Sequence, residues 1–227
     1  LVGQMPWAPR LQPARYLSFL PLNHVVEGIL GAYGPYYTPA PVDVYFLEDF
    51  RRLPDALRQV RPTVFFSVPR FYEKLWDALR GGAVGGMYIR LDASRAAAPR
   101  ALAAILRPLV RRILLARSGV DRAARLMAGS APSSRELMGA FRRLGVEIDD
   151  SYGLTEAPLV TLDPPGTLGA SRLGTVGQPL PETEVRIAAD GEVLVRGPQV
   201  SSGQADADGW LATGDLGSVD GEGNLAI

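Results

Sequence analysis

The chain has 227 residues, 47% of them hydrophobic, with 24 basic and 24 acidic side chains. That length supports one sizeable core, or one large unit and one small one, and zero net charge leaves no global field for nucleic acid. The lack of cysteine excludes disulfides, zinc–thiolate sites and thiol nucleophiles, and no apolar run approaches the roughly 18 residues of a membrane span.

Residues 1 to 15 hold three prolines and little periodicity, and read as a loose lead-in. Tyr16 to Leu22 is a short apolar run stopped by proline, consistent with a buried strand. A helix is expected to begin within HVVEGILGAY, and VDVYFLE (Val42 to Glu48) alternates like a strand. EDFRRLPDALRQV then has helical spacing, with Pro54 in a first turn or breaking it. Thr63 to Val68 is β-branched and aromatic, hence strand-like, and Pro69 suits the first position of the helix RFYEKLWDAL.

Gly81 to Gly86, GGAVGG, lacks the lysine of a phosphate loop and reads as a flexible connector. Leu102, Ile105, Leu106, Leu109, Ile113 and Leu114 recur at spacings of three and four, predicting an amphipathic helix kinked or split by Pro108. Five arginines sit largely away from that stripe. Residues 100–117 therefore suit either a packed surface helix or peripheral contact with an anionic membrane.

Ala124 to Ser130 reads as another buried strand. Ser133 with Glu136 fits a capping box ahead of SSRELMGAFRRLG, and Gly145 fits its stop. VEIDDSYG supplies one more strand. Strands alternating with helices imply an α/β fold with a mainly parallel sheet flanked by helices. After Pro164, alternation and the Asp190-Gly191 turn signal imply a small antiparallel β-rich subdomain. The boundary is placed near residue 165, giving units of 1–165 and 166–227.

Ligands of an open parallel sheet bind beyond the carboxyl ends of its strands, where GSAP (Gly129, Ser130, Ala131, Pro132) and SYGLTEAP (Ser151 to Pro158) both fall. Gly153 permits close backbone approach or an unusual dihedral. The Thr155 hydroxyl can donate to phosphate and Glu156 is a hard oxygen ligand for Mg2+, although Thr155 capping a short helix is the plain alternative. Asp215, behind the Thr-Gly of GWLATGD, offers two acceptors to a ribose diol or bonds nearby amides in an ordinary turn. His24, the single histidine, is a structural hydrogen bonder or a base.

In order, YLSFLPLNHVVEG, RPTVFFSVPRFYEKL, AGSAPSS, DSYGLTEAP, GTVGQPLPETEVRI, DGEVLVRGP and DGWLATGDLG resemble successive blocks of the adenylate-forming superfamily. The likeness is greatest to AMP-forming long-chain fatty-acid–CoA ligases. It runs from about Tyr16 to Ile227, without a recognisable motif over residues 81 to 120. The resemblance implies ATP or AMP, Mg2+, coenzyme A and a fatty acid as ligands, in a cytoplasmic protein, peripheral at the membrane if residues 100–117 touch it.

By the same resemblance, Gly129 to Pro132 border adenine, Tyr152 packs on that ring, Gly153 belongs to the nucleotide site, and Thr155 holds phosphate. Glu156 ligates Mg2+, Asp215 binds ribose, His24 sits near the acyl carboxylate, and Val68 helps to line the acyl tunnel. The family's Pro-Lys-Gly phosphate loop and its mobile C-terminal domain with a reactive-site lysine have no match, and Lys74, the only lysine, fits neither place. Both ends therefore read as cut, and negligible activity is expected of these 227 residues alone. A non-catalytic nucleotide- or acyl-binding relative, an acyl-AMP ligase or another adenylation domain are the alternatives.

Overall fold

A computed structural model describes residues 14–38, 41–162 and 172–227. Most of the expected lead-in, and the expected boundary near residue 165, lie outside them. Strand β1 (Ala14–Ser18) pairs in parallel with β2 (Val42–Phe46), Ala14 opposite Val42 through Ser18 opposite Phe46. The strand thus ends before Leu22, where Pro21 opens a turn that His24 closes by donating its N–H to the Pro21 carbonyl.

The helix expected from His24 forms in three pieces: α1 (Val25–Glu27), a π-helical stretch at Gly28–Tyr33, and α2 (Gly34–Tyr37). A fully buried carboxylate fixes this entry. Glu27 Oε1 accepts the backbone N–H groups of Phe19 and Leu20 at 3.0 and 2.9 Å, and Oε2 accepts the Tyr16 hydroxyl at 3.2 Å. Gly31 makes room, since a Cβ there would come within 2.7 Å of Glu27 Oε2.

A 3-10 turn (Phe50–Arg52) leads into α3 (Leu53–Val60), with Pro54 in its first turn, where no N–H is needed. Pro69 likewise opens α4 (Pro69–Gly81), after β3 (Val64–Ser67). The expected flexible connector is instead helical. Only Gly82 breaks the chain, and α5 (Ala83–Asp92) contains Gly85 and Gly86. A Cβ on Gly85 would sit 2.2 Å from the Leu79 carbonyl oxygen, so that glycine serves a tight corner between α4 and α5 rather than mobility.

Helix α6 (Ala97–Ser118) runs unbroken through Pro108, so the expected split does not occur. Its apolar stripe is only partly covered. Ala103, Val110 and Leu114 are buried, whereas Leu102, Ile105 and Leu109 face outward. Helix α7 (Arg135–Arg143) follows β4 (Arg125–Ala128) and is capped by Ser134, whose Oγ accepts the Leu137 N–H, one residue after the cap expected at Ser133.

The large sheet has the order β3-β4-β5-β6-β7, with β5 at Asp149–Tyr152, β6 at Thr161–Leu162 and β7 at Gln178–Pro179. Strands β3, β4 and β5 run parallel, as their alternation with helices predicts, and β6 and β7 add antiparallel. Phe65, Leu126 and Ala128 point into the main core with α3, α4, α6 and α7. Val64, Phe66 and Met127, one residue out of phase, point to the other face beneath Val26 and Leu30. The pleat thereby divides the two sides.

Strands β8 (Glu184–Ile187), β9 (Glu192–Arg196) and β10 (Leu211–Leu216) form the smaller antiparallel sheet, with β8 and β9 joined at Asp190-Gly191 as expected. Ala157 and Val160, from the loop after β5, are buried with Val193, Val195 and Leu211 of this sheet.

Candidate active site

Because β3, β4 and β5 are parallel, their carboxyl ends share one edge, and a cleft opens there. Val25, Val26, Ile29 and Leu30 form one wall, with Phe66 and Met127 as its floor. Ser130, Ser151, Tyr152 and Gly153 form the opposite, more polar side. The cleft is half open to solvent and holds about 50 Å3 of space for water-sized groups. None of its lining residues is basic, so it offers an apolar slot beside a polar rim.

The rim is built by close backbone approach. A Cβ on Gly129 would lie 2.6 Å from Ser151 Oγ, whose hydroxyl donates to the Ala128 carbonyl at 2.8 Å. Ser130 follows in the left-handed region, φ 64°, an unfavourable conformation for a non-glycine residue that clusters at ligand-binding loops. Ala131 and Pro132 are exposed beyond it. Gly153 is not at positive φ. It is needed because a Cβ would meet the Leu159 backbone nitrogen at 2.4 Å.

No helix follows β5, so Thr155 is not a helix cap. The Leu154 N–H donates to the Ala157 carbonyl at 3.1 Å, and the Ser201 N–H donates to the Glu156 carbonyl at 2.7 Å. These bonds hold the loop while the Thr155 and Glu156 side chains are exposed and make no hydrogen bond or ion pair with any described residue. No group of three or more acidic, histidine or cysteine side chains that could hold a metal occurs among the described residues. Glu156 is therefore a single exposed carboxylate, a hard oxygen donor of the kind Mg2+ accepts when phosphates and water supply its other ligands.

Asp215 comes to the same rim. The pairing of β9 with β10 shifts register between Ala212 and Leu216, and Gly214 occupies φ 77° within that bulge. The bulge turns Asp215 so that its Oδ2 accepts the Tyr152 hydroxyl at 2.6 Å. Burial, then the bond to Asp215, push the Tyr152 phenol above its ordinary value. One hydrogen bond therefore ties the residues of SYGLTE to those of TGD.

His24 stands at the N-cap of α1, where its Nδ1 accepts the Val26 N–H at 3.3 Å. A neutral ring must then carry its proton on Nε2. Neither His24 nor Val68 lines the cleft: His24 precedes the lining residues Val25 and Val26, and Val68 caps α4 two residues after Phe66. Phe66, Met127, Ile29 and Leu30 were missed from sequence. Strand phase was the available signal, since Phe66 and Met127 are opposed in register.

A family model described as AMP-binding enzyme matches residues 3–203. The chain belongs to the AMP-binding enzyme family. Its curated relatives include a long-chain-fatty-acid–CoA ligase, FadD15, of Mycobacterium bovis, 35% identical over 94% of this chain and 39% of that protein. Long-chain-fatty-acid–CoA ligase 6 of Rattus norvegicus is 29% identical over 100% of this chain and 36% of its own length. The chain thus spans well under half of these family members.

Solved structures that share the fold include two ligases. The o-succinylbenzoate coenzyme A synthetase of Bacillus subtilis, in complex with ATP and magnesium ion, superposes with a TM-score of 0.64 at 21% identity, covering 97% of this chain and 43% of that one. A malonyl-CoA ligase bound to methylmalonyl-CoA and AMP gives 0.64 at 24% identity, covering 94% and 43%.

Proposed function

We propose that this chain is part of an ATP-dependent long-chain fatty-acid–CoA ligase and carries its adenylate and acyl subsites. The observation that carries the reading is the Tyr152–Asp215 hydrogen bond, which brings two distant polar motifs to the rim of an apolar cleft. Kinship with curated long-chain ligases supports the acyl class.

In the proposed reaction a carboxylate oxygen of the fatty acid attacks the α-phosphorus of ATP, and pyrophosphate leaves. The thiol sulfur of coenzyme A then attacks the acyl carbon, and AMP leaves with the bonding pair. The acyl chain occupies the slot between α1, the π-helical stretch, Phe66 and Met127. The GSAP loop and the Tyr152 ring border adenine, and Asp215 accepts the ribose hydroxyls. Gly153 keeps the phosphate loop close, and Thr155 donates to phosphate. Glu156 would hold Mg2+, which would offset the negative charge of the phosphates. His24 offers its Nε2–H toward the carboxylate.

The cleft supplies none of the cations that clamp phosphoryl charge, and the loss of one such contact costs roughly 10² to 10³ in rate. Turnover by these 227 residues alone is accordingly proposed to be negligible, and the reading is tested by binding. A non-hydrolysable palmitoyl-adenylate analogue should bind at least about tenfold tighter than AMP by calorimetry, because its chain buries apolar surface. Asp215→Ala should weaken both ligands and Ile29→Asp only the analogue. Equal affinities for the two ligands in the unmodified chain would overturn the acyl assignment.

A further inference from the structure

Residues 80–120 contain eight arginines and a single acidic residue, Asp92, a net +7 within a chain whose total is zero. Asp92 is itself paired with Arg143. Five of these arginines, at positions 100, 107, 111, 112 and 117, lie on α6, and none forms an ion pair with a described residue. A solvated helix in a neutral protein ordinarily mixes its charges.

The same helix exposes an apolar row. Leu102, Ile105 and Leu109 are 46%, 74% and 52% accessible. Their spacing, i, i+3 and i+7, places them along one side, with Arg112 continuing the row at i+10. The buried row of Ala103, Val110 and Leu114 is separate and anchors the helix to the core. Helix α6 therefore has one side already packed and a second apolar side that no described residue covers, bordered by cations.

We infer that α6 docks this chain on the surface of an anionic lipid bilayer, with Leu102, Ile105 and Leu109 entering the headgroup–acyl boundary and the arginines contacting lipid phosphates. Charge complementarity selects the partner: unpaired guanidiniums bind phosphate, and an adjacent apolar row has no use on a nucleic acid but suits acyl chains. With five arginines in 22 residues, α6 lies on the bilayer rather than crossing it, and no helix of the described residues is long and apolar enough to span. Long apolar carboxylic acids partition into bilayers, so such docking would bring the chain to the substrate proposed above. The inference itself stands on α6 alone.

The test is flotation of the 227-residue chain with vesicles of phosphatidylcholine alone or with roughly 30 mol% phosphatidylglycerol added, in low and high salt. Binding is expected only to the anionic vesicles, fading toward 1 M salt as the screening length shrinks to about 3 Å. Arg111→Gln with Arg112→Gln should lower partitioning by roughly 25-fold, the effect of about two interfacial charges. Ile105→Asp should lower it by about tenfold or more. Its side chain is three-quarters exposed, so an unchanged melting curve should accompany the loss. Lack of binding to anionic vesicles, salt-insensitive binding to both vesicle types, or unaltered binding of Ile105→Asp would each overturn docking through α6. So would binding to duplex DNA but not to vesicles.

Discussion

At the scale of single residues, the site depends on how closely two backbone segments approach. Gly153 shows this best, because its φ is ordinary and only space is at stake. An added Cβ would meet the Leu159 nitrogen at 2.4 Å and its Cα at 2.9 Å, both backbone atoms that cannot swing aside. Gly153→Ala must therefore displace the loop that carries Thr155 and Glu156. The expected cost is about 1–3 kcal/mol of stability, as for other overpacked sites, with AMP affinity lowered as well. Urea denaturation and calorimetry would measure the two effects, and unchanged values for both would mean the loop has room. The sequence showed that a glycine stood beside a hydroxyl and a carboxylate. It did not show that Thr155 caps no helix, or that neither side chain has a partner among the described residues, since the loop is set by the distant Ser201 N–H and by the packing of Ala157 and Val160 against Val193, Val195 and Leu211. The resemblance points to the stretch near Val68 for the acyl slot. Val68 would share the pleat phase of Phe66, but β3 ends at Ser67 and Val68 is the N-cap of α4, so Phe66 is the residue of that stretch that lines the cleft.

At the scale of elements, the prolines that open helices and the Asp190-Gly191 turn were readable, whereas the serine cap fell one residue late and the glycines of GGAVGG were misleading. Pro69 and Pro54 open helices where a missing N–H costs nothing. GGAVGG read as a linker because composition does not reveal which glycine breaks a helix and which admits a neighbour. Gly119 combines both roles at the end of α6. It adopts φ 76°, and a Cβ there would lie 2.4–2.5 Å from the backbone of Leu57 and Arg58 in α3. Gly203 has a similar φ of 86° with nothing within 4 Å. Gly203→Ala should cost about 1–2 kcal/mol, the left-handed penalty alone. Gly119→Ala should cost that and about 1–3 kcal/mol more, because α3 and α6 must separate. Paired urea titrations would measure the difference, and equal costs would show that the helices yield freely.

At the scale of the whole molecule, the order of the motifs was legible because it requires only that they meet. The structure lets them meet through the bulged strand β10. The buried tyrosines that hold the sheets were legible only as apolar residues. Tyr72 is completely buried, its hydroxyl donates to the Met127 carbonyl at 2.8 Å, and burial followed by the nearby Asp149 and Asp150 pushes its pKa well above 10. Tyr16 is raised by burial and then by Glu27. A raised folded-state pKa gives stability that is intact below the unfolded value near 10 and is lost as pH climbs past it. In the opposite direction, the hydrogen bond from Arg61 is the chief cause holding Asp121 below the ordinary 3.8. That contribution is intact above about 4 and is lost as pH falls below it. Stability should thus be flat between about pH 5 and 9 as far as these groups are concerned, and fall on both sides. Each buried tyrosine steepens the alkaline fall by up to about 1.4 kcal/mol per pH unit, the free energy of one proton. Tyr72→Phe should lower the plateau by about 1 kcal/mol, the worth of its hydrogen bond, yet make the fall above pH 10 shallower. Urea midpoints from pH 3 to 11 would separate the two effects, and an alkaline slope that Tyr72→Phe leaves unchanged would place the sensitive group elsewhere.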